Sequence, residues 1–135
     1  MRDTIRTLLQ ETTTWAVVGL SPDPARDSHR IASLLARRGK RVIPINPHVD
    51  EVLGERAYAG LRDLPAGTTI DVVDIFRRAD QAGAHVDEAI AIGARGVWLQ
   101  LGVIDEAAAA RARDAGLLVV MDRCPAIEWP RLARG

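Results

Sequence analysis

Five apolar runs in this chain carry almost no polar alternation: 15–20, 41–46, 70–76, 96–100 and 117–121. A strand with one face in water alternates apolar and polar residues. A strand buried on both faces does not, and that condition belongs to a parallel sheet covered by helices on both sides. The segments between the runs have the helical period. Ile31, Leu34 and Leu35 mark one face before the stop at Gly39, and Val86, Ala89, Ile90 and Gly93 mark another within 79–93. Asp105–Ala115 is a third, alanine-rich helix with Asp105 near its start. Strand and helix therefore alternate at crossover spacing.

The pattern predicts an α/β Rossmann-like three-layer α-β-α sandwich with a five-stranded parallel sheet, taken here in the order 3-2-1-4-5. At 135 residues the chain is read as one domain. Residues 1–13 form a leading helix, 15–124 the sheet core and 126–135 a tail ending in a last helical turn. A short helix is expected around Ala57–Leu61, and Ser28 is the expected N-cap of the second helix. Pro44 inside the second strand is awkward, because proline cannot donate to a ladder.

Charge is balanced, with 18 basic and 18 acidic residues. No overall field recruits nucleic acid or an anionic membrane. The N-terminus has no apolar signal core and no run reaches membrane-spanning length, so a cytoplasmic location is expected. The single cysteine, Cys124, excludes an internal disulfide, and the three histidines lack metal-ligand spacing, so no metal is expected.

Right-handed crossovers place Gly19, Asn46, Phe76, Gln100 and Met121 along one sheet edge. In such sheets ligands bind outside the carboxyl ends, where strand order reverses. The order 3-2-1-4-5 puts that crevice between the first and fourth strands. The loop after the first strand, Ser21-Pro-Asp-Pro-Ala-Arg-Asp-Ser28, has one glycine before it where the dinucleotide fingerprint has three. Gly19 permits close backbone approach. Ser21 and Ser28 offer hydroxyls, and Arg26 offers a forked cation suited to phosphate. The alternative is a loop that only caps a helix. Asn46-Pro47 stands where a dinucleotide-binding protein has the ribose-binding acid, which argues against NAD. Phe76-Arg77-Arg78 can bind a phosphate or stack on a base, with one arginine expected in solvent. Gln100 can hydrogen-bond a ligand amide, and Trp98 is expected in the core. His29, at the loop-helix junction, is either a phosphate donor or a packing residue. Cys124 has no neighbouring base in sequence, so it is expected to be a packed, unreactive thiol. No catalytic residue is assigned.

Taken in order, Val17-Val-Gly-Leu-Ser-Pro, Ser28-His-Arg, Val42-Ile-Pro-Ile-Asn-Pro, Glu51-Val-Leu-Gly-Glu, Asp74-Ile-Phe-Arg-Arg, Val97-Trp-Leu-Gln-Leu-Gly and Val120-Met-Asp-Arg-Cys form a series. It resembles the small stand-alone CoA-binding proteins of bacteria and archaea. These are similar to the N-terminal domain of the succinyl-CoA synthetase α subunit. The resemblance spans roughly residues 13–132 and implies binding of coenzyme A or a short acyl-CoA across the sheet edge, without catalysis. It implies Gly19, Leu20 and Ser21 along the pyrophosphate and Arg26 on a phosphate. Asn46 and Pro47 would flank the adenosine, and Phe76 and Arg77 would line the pocket beyond. The synthetase loop is richer in glycine than this proline-rich one. A homo-oligomer or an unknown protein partner stays open. So do two other readings: a small thiol-chemistry or NAD(P)-linked oxidoreductase using Cys124, and an interaction subunit with a vestigial pocket.

Overall fold

A computed structural model of the chain describes residues 1–134. A leading helix α1 (Arg2–Gln10) precedes β1 (Thr14–Val18), α2 (Asp27–Arg37) and β2 (Arg41–Ile45). A two-stranded hairpin follows, β3 (Glu51–Val52) and β4 (Glu55–Arg56), and then a single 3-10 turn, Leu61–Asp63. The chain continues through β5 (Val72–Ile75), α3 (Ala79–Ala91), β6 (Gly96–Leu99), α4 (Glu106–Asp114), β7 (Leu118–Met121) and α5 (Pro125–Ala133).

Five strands form one parallel sheet in the order β2-β1-β5-β6-β7. The α/β class and the parallel five-stranded sheet are as the sequence predicts. The order is not: counting only these five strands it is 2-1-3-4-5, not 3-2-1-4-5. The third strand lies against the free side of β1, not outside β2. Burial explains this arrangement. Val72, Val73, Asp74 and Ile75 are all at 0% exposure, so β5 is an interior strand. β2 begins at exposed Arg41 and carries Pro44, and a proline belongs on an edge. The Arg41 amide donates to Thr13 O and Ile45 O accepts from Gly19, so residues 41, 43 and 45 face β1. Pro44 lies between them and turns its donorless nitrogen outward, while its carbonyl accepts from Tyr58 N on the outer side.

The link from β1 to β2 runs through α2 on one face. The link from β2 back past β1 to β5 runs over the opposite face, where Leu61 joins α3 and α4. That reversal moves the crevice to β1 and β5. The link holds the β3–β4 hairpin in place of the helix expected at Ala57–Leu61. Leu53 and Gly54 both take positive φ (54° and 76°), which is the geometry of a tight two-residue hairpin. The tail is also more than a turn, since α5 runs for nine residues.

Two apolar layers flank the sheet. Ala82 and Val86 of α3 and Ala108 and Ala112 of α4 pack on Ala16, Val18, Val73 and Ile75. On the other face α1, α2 and α5 cover Trp15, Val17 and Trp98. The Trp15 and Trp98 rings lie 5.8 Å apart and tilted, a favourable aromatic geometry. Each indole N–H is satisfied: Trp15 donates to Thr12 Oγ1 (2.8 Å) and Trp98 to Arg123 O (2.9 Å).

Asp74 sits within this layer, level with Val17 on one side and Trp98 on the other. Both its carboxyl oxygens are buried without a hydrogen-bond partner. Burial pushes its pKa well above the ordinary value of 3.8, because no compensating charge replaces lost water. The unfolded chain ionises near 3.8, while the folded chain keeps the proton to higher pH. The unfolded state therefore binds fewer protons as pH rises, and stability falls until the folded pKa is reached. Asp74→Asn should remove this dependence. The variant's stability relative to the parent should rise by about 1.4 kcal/mol per pH unit between the unfolded and the folded pKa, and level off above that. Urea unfolding from pH 4 to 8 measures it, and a constant difference across that range would refute it.

Candidate functional site

β1 ends in a turn that Gly19 alone permits. Its φ is +84°, and a Cβ there would stand 2.6 Å from the carbonyl oxygen of Phe76 at the end of β5. The constraint is thus set by the neighbouring strand. Loop residues beyond it hold one another. Ser21 N donates to Ser28 Oγ (2.9 Å), Asp23 N to Ser21 Oγ (3.0 Å) and Ala25 N to Asp23 Oδ1 (2.9 Å). Ser28 is therefore not the N-cap. Its buried hydroxyl anchors the loop, and Arg26 occupies the cap position in extended backbone with no side-chain cap bond. The first-turn amides of α2 are left without a capping side chain, an arrangement suited to anions.

This loop opens onto a cleft of about 1070 Å³ along the carboxyl edge of the sheet, continuing between α2 and α5. Six arginines line it, Arg26, Arg30, Arg37, Arg38, Arg77 and Arg78, against one carboxylate, Asp27. A chain with no net charge thus concentrates positive charge in one place. Arg30 pairs with Asp27, and Arg78 pairs with Asp80 at 3.4 Å. Arg26, Arg37, Arg38 and Arg77 have no carboxylate partner among the described residues. Arg38 stacks over Trp129, 4.8 Å from the ring centre. Arg77 Nε and Gln100 Oε1 are buried with no partner. Gln100 is 6% exposed, so its free acceptor is a cost unless a ligand donor meets it.

Of the expected site residues, Gly19, Ser21, Arg26, Ser28, Phe76, Arg77 and Gln100 line the cleft together. Leu20, Asn46 and Pro47 do not. Leu20 is at 0% exposure in the core. Asn46 spends its amide within the protein, donating to Leu20 O (2.9 Å) and accepting from His48 N (2.8 Å). It ties the loop after β2 to the turn after β1. The edge position of β2 explains the displacement, since the crevice opens on the other side of β1. Cys124, expected to be packed, is half-buried at the N-cap of α5 against the apolar layer, and it also lines the cleft. Sequence reasoning missed Arg30, Arg37, Arg38 and Trp129. The signal was present, because Arg26, Arg30, Leu34 and Arg37 or Arg38 recur every three or four residues along one face of α2. Among the described residues no three metal-ligating side chains gather, and no helix is long and apolar enough to cross a membrane.

A doubly wound parallel sheet with a basic cleft at its carboxyl edge is the frame of a nucleotide-binding α/β protein. Within that class this chain belongs to the CoA binding domain family, whose model matches residues 13–130. It is 36% identical over 120 residues to Uncharacterized protein YneT of Bacillus subtilis (strain 168), across 89% of this chain and 87% of that one. Among solved structures it is similar to a hypothetical protein from Pyrococcus horikoshii OT3. That match has 36% identity and a TM-score of 0.91, over 98% of this chain and 92% of that one. It also matches part of the dinucleotide forming acetyl-coenzyme A synthetase 1 of Ca. Korarchaeum cryptofilum. There the identity is 25% and the TM-score 0.73, over 87% of this chain and 28% of that longer one.

The contact with Phe76 makes Gly19 a folding residue in addition to a cleft residue. Gly19→Ala should destabilise by about 1–3 kcal/mol from the positive φ, with the carbonyl clash adding to it. A thermal melt of the variant checks this. An unchanged midpoint would mean that the turn relaxes without cost.

Proposed function

We propose that this chain binds coenzyme A or a short acyl-CoA in the arginine-lined cleft and does not turn it over. One observation carries the reading. In a chain of the CoA binding domain family, an uncapped helix N-terminus and unpaired arginines face the same cleft. CoA carries a pyrophosphate and a 3′-phosphate, and both need donors of this kind. Arg26 and the first-turn amides of α2 would take the pyrophosphate beside Gly19 and Ser21. Phe76 and Arg77, across the crevice, would hold the next part of the ligand. Gln100 would meet an amide of the pantetheine arm.

NAD suits this edge less well. The side chain at the end of β2 is Asn46, an amide with both ends committed to backbone groups. It leaves no carboxylate for the ribose hydroxyls. A location inside the cell, where CoA is found, belongs to the same proposal. Among the described residues the cleft offers no nucleophile–base pair within hydrogen-bond reach, which is why binding without turnover is proposed.

Native mass spectrometry of freshly purified protein, followed by calorimetry with CoA, acetyl-CoA, NAD and NADP, tests this. CoA should bind at least tenfold more tightly than NAD, about 1.4 kcal/mol. Equal affinities, or a preference for NAD, would reject it. Arg26→Ala should cost about 1.5–3 kcal/mol of CoA affinity with the fold intact. The loss should be the same for dephospho-CoA if Arg26 holds the pyrophosphate. An unchanged affinity would leave Arg26 a solvent residue.

A further inference from the structure

Cys124 is the one thiol of the chain and it opens into the cleft. It follows β7, while Gly19 follows β1. The two strands are separated by β5 and β6, so three inter-strand spacings divide them, about 14 Å. The pantetheine arm between the pyrophosphate and the sulfur of CoA matches four or five residues of extended chain, about 15 Å. A ligand with its pyrophosphate at the Gly19 turn and its arm laid along the sheet edge therefore ends at β7.

An independent feature lies on that path. Gln100 directly follows β6, between Phe76 and Cys124 along the sheet edge, and lines the same cleft. It is nearly fully buried, and its Oε1 accepts no hydrogen bond. A pantetheine arm has two amide N–H groups, and one of them is the donor that this oxygen lacks. The far wall near Cys124 is formed by Ala126 and Trp129 of α5, which suits the thin apolar end of the arm.

We propose that Cys124 is a thiol–disulfide exchange site for CoA-type disulfides, with Gln100 as the residue that aligns the arm. This rests on the CoA reading and adds a covalent step to it. Cys124 loses its proton to water and its thiolate attacks one sulfur of a CoA disulfide. The disulfide S–S bond breaks and a Cys124–CoA mixed disulfide forms. The second CoA leaves as a thiolate and takes up a proton. Cys124 and the captured CoA share the new oxidised bond, and the departing CoA is the reduced product. The CoA disulfide supplies the oxidant, and no other redox partner is needed. The step is stoichiometric, and a free thiol such as CoA reverses it.

The test uses the whole chain in its reduced form. CoA disulfide and, separately, glutathione disulfide are added, and intact mass spectrometry follows the adduct while released thiol is counted. One CoA should add per chain, with one equivalent of CoA released. CoA disulfide should react at least about tenfold faster than glutathione disulfide, because binding positions its sulfur. Cys124→Ser should gain no adduct. Gln100→Leu should slow the reaction with CoA disulfide more than that with glutathione disulfide. Equal rates for the two disulfides, or no adduct from a protein that binds CoA by calorimetry, would overturn the proposal and leave the binding reading standing. Absence of CoA binding by calorimetry would overturn both.

Discussion

The contact between β1 and β5 governs the rest of this structure. β1 is the strand from which the chain departs in both directions, first to β2 and then back across to β5. The two connections lie on opposite faces, so nothing covers the carboxyl ends of β1 and β5. Gly19 can turn there only because it has no Cβ to meet the Phe76 carbonyl. The turn then sends the loop over to Ser28 and starts α2 with its amide end toward the gap. Phe76 and Arg77 come to the same gap from β5. The cleft results from strand pairing, and its residues come from segments far apart in sequence.

Polar groups are distributed with the same logic. Outside the cleft, buried donors and acceptors are largely paired. Lys40 donates to Thr12 O, Asp71 accepts from the amides of Thr13 and Thr14, and Asp105 caps α4. Burial holds the pKa of Lys40 below its ordinary value, with Asp71 opposing that shift. Inside the cleft the pairing fails at Gln100 Oε1 and Arg77 Nε. Unmet groups along this edge support the proposed binding reading, since a ligand would supply the missing partners. Asp74 is different. It is unpartnered inside the apolar layer and does not line the cleft, so it affects stability more directly than recognition.

The elements could be read from the chain because their causes are local. Continuous apolar runs give buried strands, and periodic ones give helices. Strand order is a tertiary fact, yet Pro44 carried a usable sign. A proline in a strand marks an edge, and placing β2 at the edge leaves only the inner side of β1 for β5. The lining of the candidate site was legible where it depends on strand ends and the loops that follow them: Gly19, Ser21, Arg26, Phe76, Arg77 and Gln100. Two local roles read differently in the structure. Ser28 lines the cleft but holds the Ser21 amide instead of capping α2, and Asn46 turns to Leu20 and His48 and away from the cleft. The α2–α5 extension with Arg37, Arg38 and Trp129 was missed because it needs two helices brought side by side from opposite ends of the chain.

One continuous cleft, from the Gly19 turn to Cys124, is proposed to receive a CoA-type ligand. Amide chemical-shift mapping of the labelled protein during titration with CoA tests it most directly. The largest shifts should fall on Gly19–Ser28, Phe76–Arg78, Gln100–Gly102 and Cys124, with little change at Asn46, Tyr58 and the β3–β4 hairpin. Shifts centred on the β2 edge, or no shifts at saturating CoA, would contradict the account.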